Sequence, residues 1–587
     1  MLAIARTRRR RRSPVAVAIG ATVLLCAACS GGGGGSPQAS GGGGGAGGGG
    51  GGGGTALSIV SIAPADGAAA VERTVLPRLR FSHALDAATI DAASVVLHGA
   101  AGDVAITASV QGDELGIAPA ARLEPNATYD VRIATTVRGA GGEVLAAPFA
   151  ATFTVADRAW RSGAELLETD DHVAQDVDVA TTDDGAALAV WMQYDDTRTN
   201  LVANRRDPRT GWGTATLLET DDAGAAGASL NGPSVAMDAA GNGVAAWSQF
   251  DGTRWNLVAN RHDHATGWGT AQLLENENLG GSIGARNPHV RCDAAGRAWV
   301  VWSQPNAAST PSIRLQRFTP GNGWLATPEI VSTAAGQAAA PQVGVDAQGN
   351  VLVVWRQRAA NGRWDVWSRR RDGVSGAWNA AAGIESDDAD PSGARDPRLV
   401  VAANGEAVAT WSHFDGVRDN VRANRFVPGS GWGASVLVES ADQPLSGAPD
   451  VAIDANGRAV VVFVQLLQGW SVQATHSEPG SSVWGAPVTV VLPSAGITLK
   501  DVRLAANGAG RAHAVWTRAA SAPAAETIES ARCVIGGAWS APHRLDSRDG
   551  SNAAALPRIA VDVSGDAIAV FTQHDGTRPN VHANRFE

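Results

Sequence analysis

The chain reads as all-β, on three observations. Alternating apolar and polar runs separated by Gly, Asp and Pro turns occur from residue 57 onward, with no helical periodicity of comparable length. After Arg158 one unit of roughly 55 residues repeats to the last residue. Each repeat carries an aromatic-ended hairpin, a third strand and a fourth opened by Gly-Trp. With 587 residues and 44% apolar content, the chain can build more than one core.

The repeats fix the larger part. Hairpins such as PSVAMDAAGNGVAAWSQ and PDVAIDANGRAVVVFVQ end on Trp191, Trp247, Trp302, Trp355, Trp411, Phe463, Trp516 and Phe571. Between their two strands sits D-A-x-G or a close variant, a tight turn in which Gly supplies the positive φ. A third strand such as NLVANR follows, then a fourth led by Trp212, Trp268, Trp324, Trp378, Trp432, Trp484 or Trp539. Four short antiparallel strands per unit describe a propeller blade. Eight copies of the first three strands face only seven downstream fourth strands, and AWRSGAELLE at 159–168 supplies the missing one. The expectation for 159–587 is an eight-bladed β-propeller closed by an N-terminal strand, because closure removes exposed edges.

Residues 1–29 read as an export segment: Arg6 and Arg8 to Arg12 precede VAVAIGATVLLCAAC, too short to span a bilayer comfortably. The stretch LCAAC resembles a bacterial lipobox, which implies lipid attachment at Cys29 and a bacterial cell envelope location, at the outer membrane or cell surface. An ordinary cleaved secretory signal is the alternative. Residues 30–56 are nearly pure Gly and read as a flexible tether spanning about 25–30 Å. Cys292 and Cys533 occupy different positions in different repeats, so no disulfide is expected.

Residues 57–156 read as a small β domain. The phrases SIAPADGAAAV, LRFSHALDAATI, GIAPAARLEPNATYDVRI and PFAATFTV resemble, in order, a bacterial Ig-like domain of the SbsA type. The resemblance implies a β-sandwich used as a spacer, with Tyr129 as its corner tyrosine.

The run D-G-x-x-x-N-[LV]-x-A-N-R followed by Gly-Trp, as in FDGTRWNLVANRHDHATGWG at 250–269, resembles the repeats of sialidase-type (BNR) propellers with degenerate Asp-boxes. A sialidase needs a tyrosine nucleophile. Of the two tyrosines, Tyr129 lies in the small domain, and Tyr194 fills a loop slot held elsewhere by Phe250, Phe414 and His574. No catalytic residue is therefore assigned. Candidate ligand-face residues are Tyr194, Arg198, Phe250, Asp251, Arg254, Phe414, Asp415, Arg418, His574, Asp575 and Arg578. The loop arginines are also expected to pair across strands three and four: Arg198 with Glu219, Arg254 with Glu275, Arg363 with Glu385, Arg418 with Glu439, and Arg578 with Glu168. Charge and partner vanish together in the third repeat, where Ser332 replaces the Glu.

Other signals are weak. Gly280-Gly281-Ser282-Ile283-Gly284 fits G-x-S-x-G in a polar loop without a strand-turn-helix setting. Acidic loops at Thr169-Asp170-Asp171, Thr220-Asp221-Asp222 and Ser386-Asp387-Asp388 are solvated connections, with Ca²⁺ as the alternative; no other cofactor is expected. A net charge of −10, with Lys500 the single lysine, argues against nucleic acid. The expected function is non-catalytic binding or scaffolding for a glycan or protein partner. The alternatives are a glycoside hydrolase and a structural part of an envelope assembly.

Overall fold

The computed structural model describes residues 56–169, 172–219, 232–275, 284–332, 336–385, 393–439, 446–520, 526–547 and 553–587. The export segment, Cys29, the Gly-rich tether, nearly all of the acidic loops and most of the G-x-S-x-G run lie outside them.

The chain is all-β among the described residues: it has no α-helix, and its single helical turn is the 3₁₀ segment Ala87–Thr89. Among the described residues no helix is long and apolar enough to cross a membrane. The N-terminal domain has two sheets. Ile59–Ala63, Arg78–Phe81, Glu114–Pro119 and Ile106–Gln111 form one. The other contains Val95–Gly99, Thr128–Ile133 and Phe149–Val155. Their inner faces share a core of Leu79, Phe81, Leu97, Ile117, Val131 and Phe153. Tyr129 is buried there, and its hydroxyl accepts the Glu124 amide at 2.8 Å, as a corner tyrosine should.

From Val173 onward, eight antiparallel sheets follow in chain order. Seven are built from consecutive strands, beginning with Val173–Thr181, Ala187–Tyr194 and Thr199–Asp207. The eighth is assembled from both ends of the repeat region: Ala554–Val561, Ala567–His574 and Pro579–Phe586 are joined by Glu165–Leu166. Arg161 N–H donates to the Arg585 carbonyl at 3.0 Å, and Leu167 N–H to that of Val581 at 2.9 Å.

Each hydrophobic cluster of the repeat region lies between neighbouring sheets. Leu167, Trp191, Val570 and Val581 join the eighth sheet to the first, and Leu188, Leu201, Val235 and Trp247 join the first to the second. All eight anchor aromatics are at most 1% exposed. The first strand of each sheet packs on that of the next, and the eighth on the first. The hairpin turns behave as expected, with Gly185, Gly241, Gly296, Gly349, Gly405, Gly457, Gly510 and Gly565 all at positive φ.

The outer strand departs from expectation. Instead of one run opened by Gly-Trp, it is in the first, second, third and fifth sheets two short ladders, such as Gly211–Trp212 and Thr216–Leu217 on the same third strand. Between them the Gly213 carbonyl is taken by the Asn204 side-chain amide at 3.0 Å, so the ladder is interrupted there. In the sixth and seventh sheets Trp484 and Trp539 lie outside strands altogether.

The Ig-like region is docked rather than separate. Arg73, Arg122 and Arg158 converge on Asp566 in the eighth hairpin turn: Arg73 Nη1 pairs with Oδ2, Arg122 Nη1 is 2.6 Å from Oδ2, and Arg158 Nε is 3.0 Å from Oδ1. Arg122 also reaches Asp562 at 3.3 Å; Arg73, Asp562 and Asp566 are buried, and Arg122 and Arg158 partly so.

Candidate functional site

The repeated loop between strands two and three holds itself in shape. In FDGTRWN, Asp251 Oδ1 accepts the amides of Thr253 and Arg254 at 2.8 and 2.9 Å, and Oδ2 accepts the Asn256 amide group at 2.9 Å. Asp195, Asp415 and Asp575 make the same bonds to Asn200, Asn420 and Asn580. The donors hold Asp195, Asp251 and Asp575 well below the usual carboxylate range, led by Thr197, Thr253 and Thr577. Arg254 Nε donates to Asn256 Oδ1 at 2.9 Å and lies 3.7 Å from Asp251; Arg198, Arg418 and Arg578 lie 3.6 to 3.9 Å from their own loop aspartates. Phe250 rests against Trp255 with ring centres 5.5 Å apart, and Tyr194 is exposed.

The glutamates assigned to those arginines also face the following sheet. Trp191 Nε1 donates to Gln193 Oε1 at 3.0 Å, and Gln193 Nε2 donates to Glu168 Oε2 at 3.3 Å. Trp302, Gln304 and Glu275 repeat this relay, and Gln465 reaches Glu439 at 3.2 Å. In the fifth sheet His413 Nε2 takes the place of Gln, 3.1 Å from Glu385 Oε1. Where Ser332 replaces Glu, Gln357 turns to the Gly336 carbonyl at 2.9 Å. Arg418 does act on Glu439, and Arg363 on Glu385, favouring their ionised forms. Burial outweighs them, raising Glu439 and pushing Glu385 up to about 7. The Asn of A-N-R is a second bridge: Asn204, Asn260, Asn424 and Asn584 each donate to a carbonyl of the preceding sheet, at 2.8 to 3.0 Å.

The first strands enclose a cavity of about 410 Å³. Seven of them carry a register shift or a left-handed residue near the start: Asp176, Asn287, Ala340, Asp396, Ala448, Asp501 and Leu556 lie at φ between 47° and 56°. Such bulges re-aim the next side chains. Pro commonly follows, as at Pro288, Pro341, Pro397, Pro449 and Pro557, where no ladder donor is needed. The residue after that position lines the cavity in every sheet, giving a ring of Asp178, Ser234, His289, Gln342, Arg398, Asp450, Arg503 and Arg558. All eight are polar, and few types recur. This ring was missed by sequence reading, although the strand-initial Pro marked its place.

Ring acceptors tie the first strands together. Asp178 Oδ2 accepts the Val235 amide at 2.9 Å, Ser234 Oγ that of Val290 at 3.2 Å, His289 Nδ1 that of Val343 at 3.2 Å, and Asp450 Oδ2 that of Leu504 at 2.9 Å. His289 is therefore neutral with its proton on Nε2, and burial beside Arg291 and Arg398 keeps its pKa well below the usual imidazole value. Residues 176–179 line the cavity midway along the first strand, whose register puts Thr181 opposite Ala187 at the hairpin turn and Val173 opposite Tyr194 at the end carrying the Asp-Arg loops. The Ig-like region meets the other end, at the 562–566 turn. Among the described residues no group of three or more His, Cys, Asp or Glu side chains is placed to hold a metal ion.

Residues 53–155 match the family model described as a bacterial Ig-like domain. This segment is a bacterial Ig-like domain. No curated protein matches the sequence. Among solved structures, the matches are of low identity and low TM-score. One is the polysaccharide lyase Uly1, with TM-score 0.40 and 10% identity over 59% of this chain and 87% of the lyase. A Hadza microbial sialidase gives TM-score 0.32 and 13% identity over 69% and 96%. An α-L-arabinofuranosidase from Fusarium graminearum gives 0.35 and 13% over 54% and 97%. The chain joins this Ig-like segment to an all-β region of eight antiparallel sheets.

Proposed function

We propose that this chain is a cell-envelope lipoprotein whose repeat region is an eight-bladed β-propeller, closed by residues 159–168, that binds a glycan or protein partner without chemistry. Closure is supported by the Glu165–Leu166 ladder on the last strand and by packing of the eighth first strand on the first. The observation that carries the binding reading is the ring of eight polar residues at the cavity. In a chain whose repeats otherwise keep their residue types, the walls of one hole diversify, which suits recognition of a single asymmetric ligand. The repeated Asp, Arg and Asn of the loops spend their bonds on loop shape, which favours a framing role for them.

The Ig-like domain fits this reading, since its ion pairs fall at the hairpin turn of the eighth sheet and not on the cavity ring. Glycan-array and envelope pull-down measurements on the full chain test it. Retention of a glycan or partner by the wild type, lost on Arg398→Gln, is expected; turnover of a retained glycan would overturn the non-catalytic part. For the anchor, Cys29→Ser is expected to release the chain from membranes, and continued membrane retention would refute lipidation at that residue.

A further inference from the structure

At the hairpin-turn end, each sheet leans on its neighbour. In the third to eighth sheets the turn glycine is covered by a side chain of the preceding turn, as Gly349 is by Arg297, Gly510 by Arg458 and Gly565 by Arg511. A methyl group at Gly510 would stand 3.2 Å from Arg458 Nη2, so the seat is filled. Bonds from turn to turn run alongside. The Ala347 amide donates to the Ala403 carbonyl at 3.2 Å, the Ala455 amide to that of Gly508 at 3.0 Å, and Asn507 Nδ2 to that of Val563 at 2.8 Å. Gly241 of the second sheet is covered by His264, which Arg205 of the first sheet meets at 3.3 Å.

The seam between the eighth and first sheets differs. Asp566 follows its turn glycine as Arg297, Arg458 and Arg511 follow theirs, yet among the described residues no hydrogen bond joins the turn at 562–566 to the turn at 182–186. The seat over Gly185 is filled instead from the Ig-like domain, by the Arg122 guanidinium. The same group lies 2.6 Å from Asp566 and 3.3 Å from Asp562, so one forked side chain spans both turns. Against burial, the Thr182 hydroxyl, the Ala186 amide and the charge of Arg122 hold the Asp184 carboxyl below its ordinary value. A second tie comes from Arg209 of the first sheet, whose Nη2 donates to the Pro119 carbonyl at 3.3 Å. Among the described residues no apolar cluster contains side chains of both the Ig-like domain and the repeats. Charge and hydrogen bonding therefore hold this junction.

We propose that the Ig-like domain is a clasp on the closing seam: Arg122 joins the eighth hairpin turn to the first, and docking of the domain keeps that end of the ring shut. This rests on the closed-ring reading above and gives the domain a part beyond that of a spacer. Hydrogen exchange of the full chain, read by mass spectrometry, tests it. In Arg122→Gln the amides of Val173–Thr181 and Pro579–Phe586 should exchange at least about tenfold faster than in the wild type, while Val351–Arg358 and Thr128–Ile133 keep their rates. Arg122→Lys keeps the charge without the fork and should give a smaller rise in the same strands. It serves alone should Arg122→Gln fail to fold. Substitution of an exposed arginine of the same domain, Arg132→Gln, should leave the seam at its wild-type rate. A seam unchanged by loss of Arg122, or a rise spread evenly over all eight sheets, would overturn the clasp while leaving the closed ring standing. Rapid exchange of 165–168 in the wild type would overturn closure and clasp together.

Discussion

Glu385 shows how a repeated position acquires individual chemistry. Its side chain is 2% exposed and touches His413 of the next sheet, and burial raises its pKa from the ordinary 4.5 to about 7. A carboxyl that is harder to ionise in the folded state contributes stability fully present below pH 4.5 and lost as pH rises through about 7. The melting temperature of wild type relative to Glu385→Gln should therefore rise as pH falls from 8 to 5, by an amount reflecting roughly 1–3 kcal/mol. A difference independent of pH would contradict the assignment. The D-x-x-R loops teach the complementary lesson. Asp251 and Asn256 recur in four repeats because those repeats close the same turn, and their spacing was legible without any fold.

At the scale of elements, the decisive strand is the split eighth sheet. Its outer strand comes from about 420 residues upstream, as in the Arg585 to Glu165 contact at 2.7 Å. Removing residues 159–168 should uncover Pro579–Phe586 as an unpaired edge beside a core that loses Leu167. The expected outcome is loss of the cooperative melt of the whole repeat region and concentration-dependent association, read by calorimetry and light scattering. An unchanged melt would mean that the upstream strand is dispensable. The strand count made this pairing predictable. The interruption of the outer strands was not, because it depends on an Asn side chain competing for a backbone carbonyl.

For the whole molecule, the junction between Ig-like domain and repeats changes the meaning of the spacer. The buried Arg73 and the partly buried Arg122 and Arg158 surround the buried Asp566, with Asp562 beside it. Breaking one partner of a buried charge cluster leaves the others desolvated and unpaired, typically at a cost of about 3–5 kcal/mol. Asp566→Ala should loosen the junction, accelerate proteolysis near residues 156–159, and separate the domain's unfolding from that of the repeats. A single transition with unchanged protease resistance would show that apolar contacts suffice.

The sequence alone determined the repeat, its hairpins, the buried aromatic column and the supply of a strand from upstream, because each follows from local periodicity and counting. It also placed the Ig-like domain and its corner tyrosine. Only the tertiary structure decided what lies between repeats. Gln193 meets Glu168, Asn204 meets Leu167, Arg122 meets Asp566, and eight polar residues of five types converge on one cavity. Those partners sit up to hundreds of residues apart, and no pattern within a single repeat encodes them. The physical reason is geometric: the first strands gather around one centre, so a residue's chemistry there is set by seven neighbours outside its own repeat.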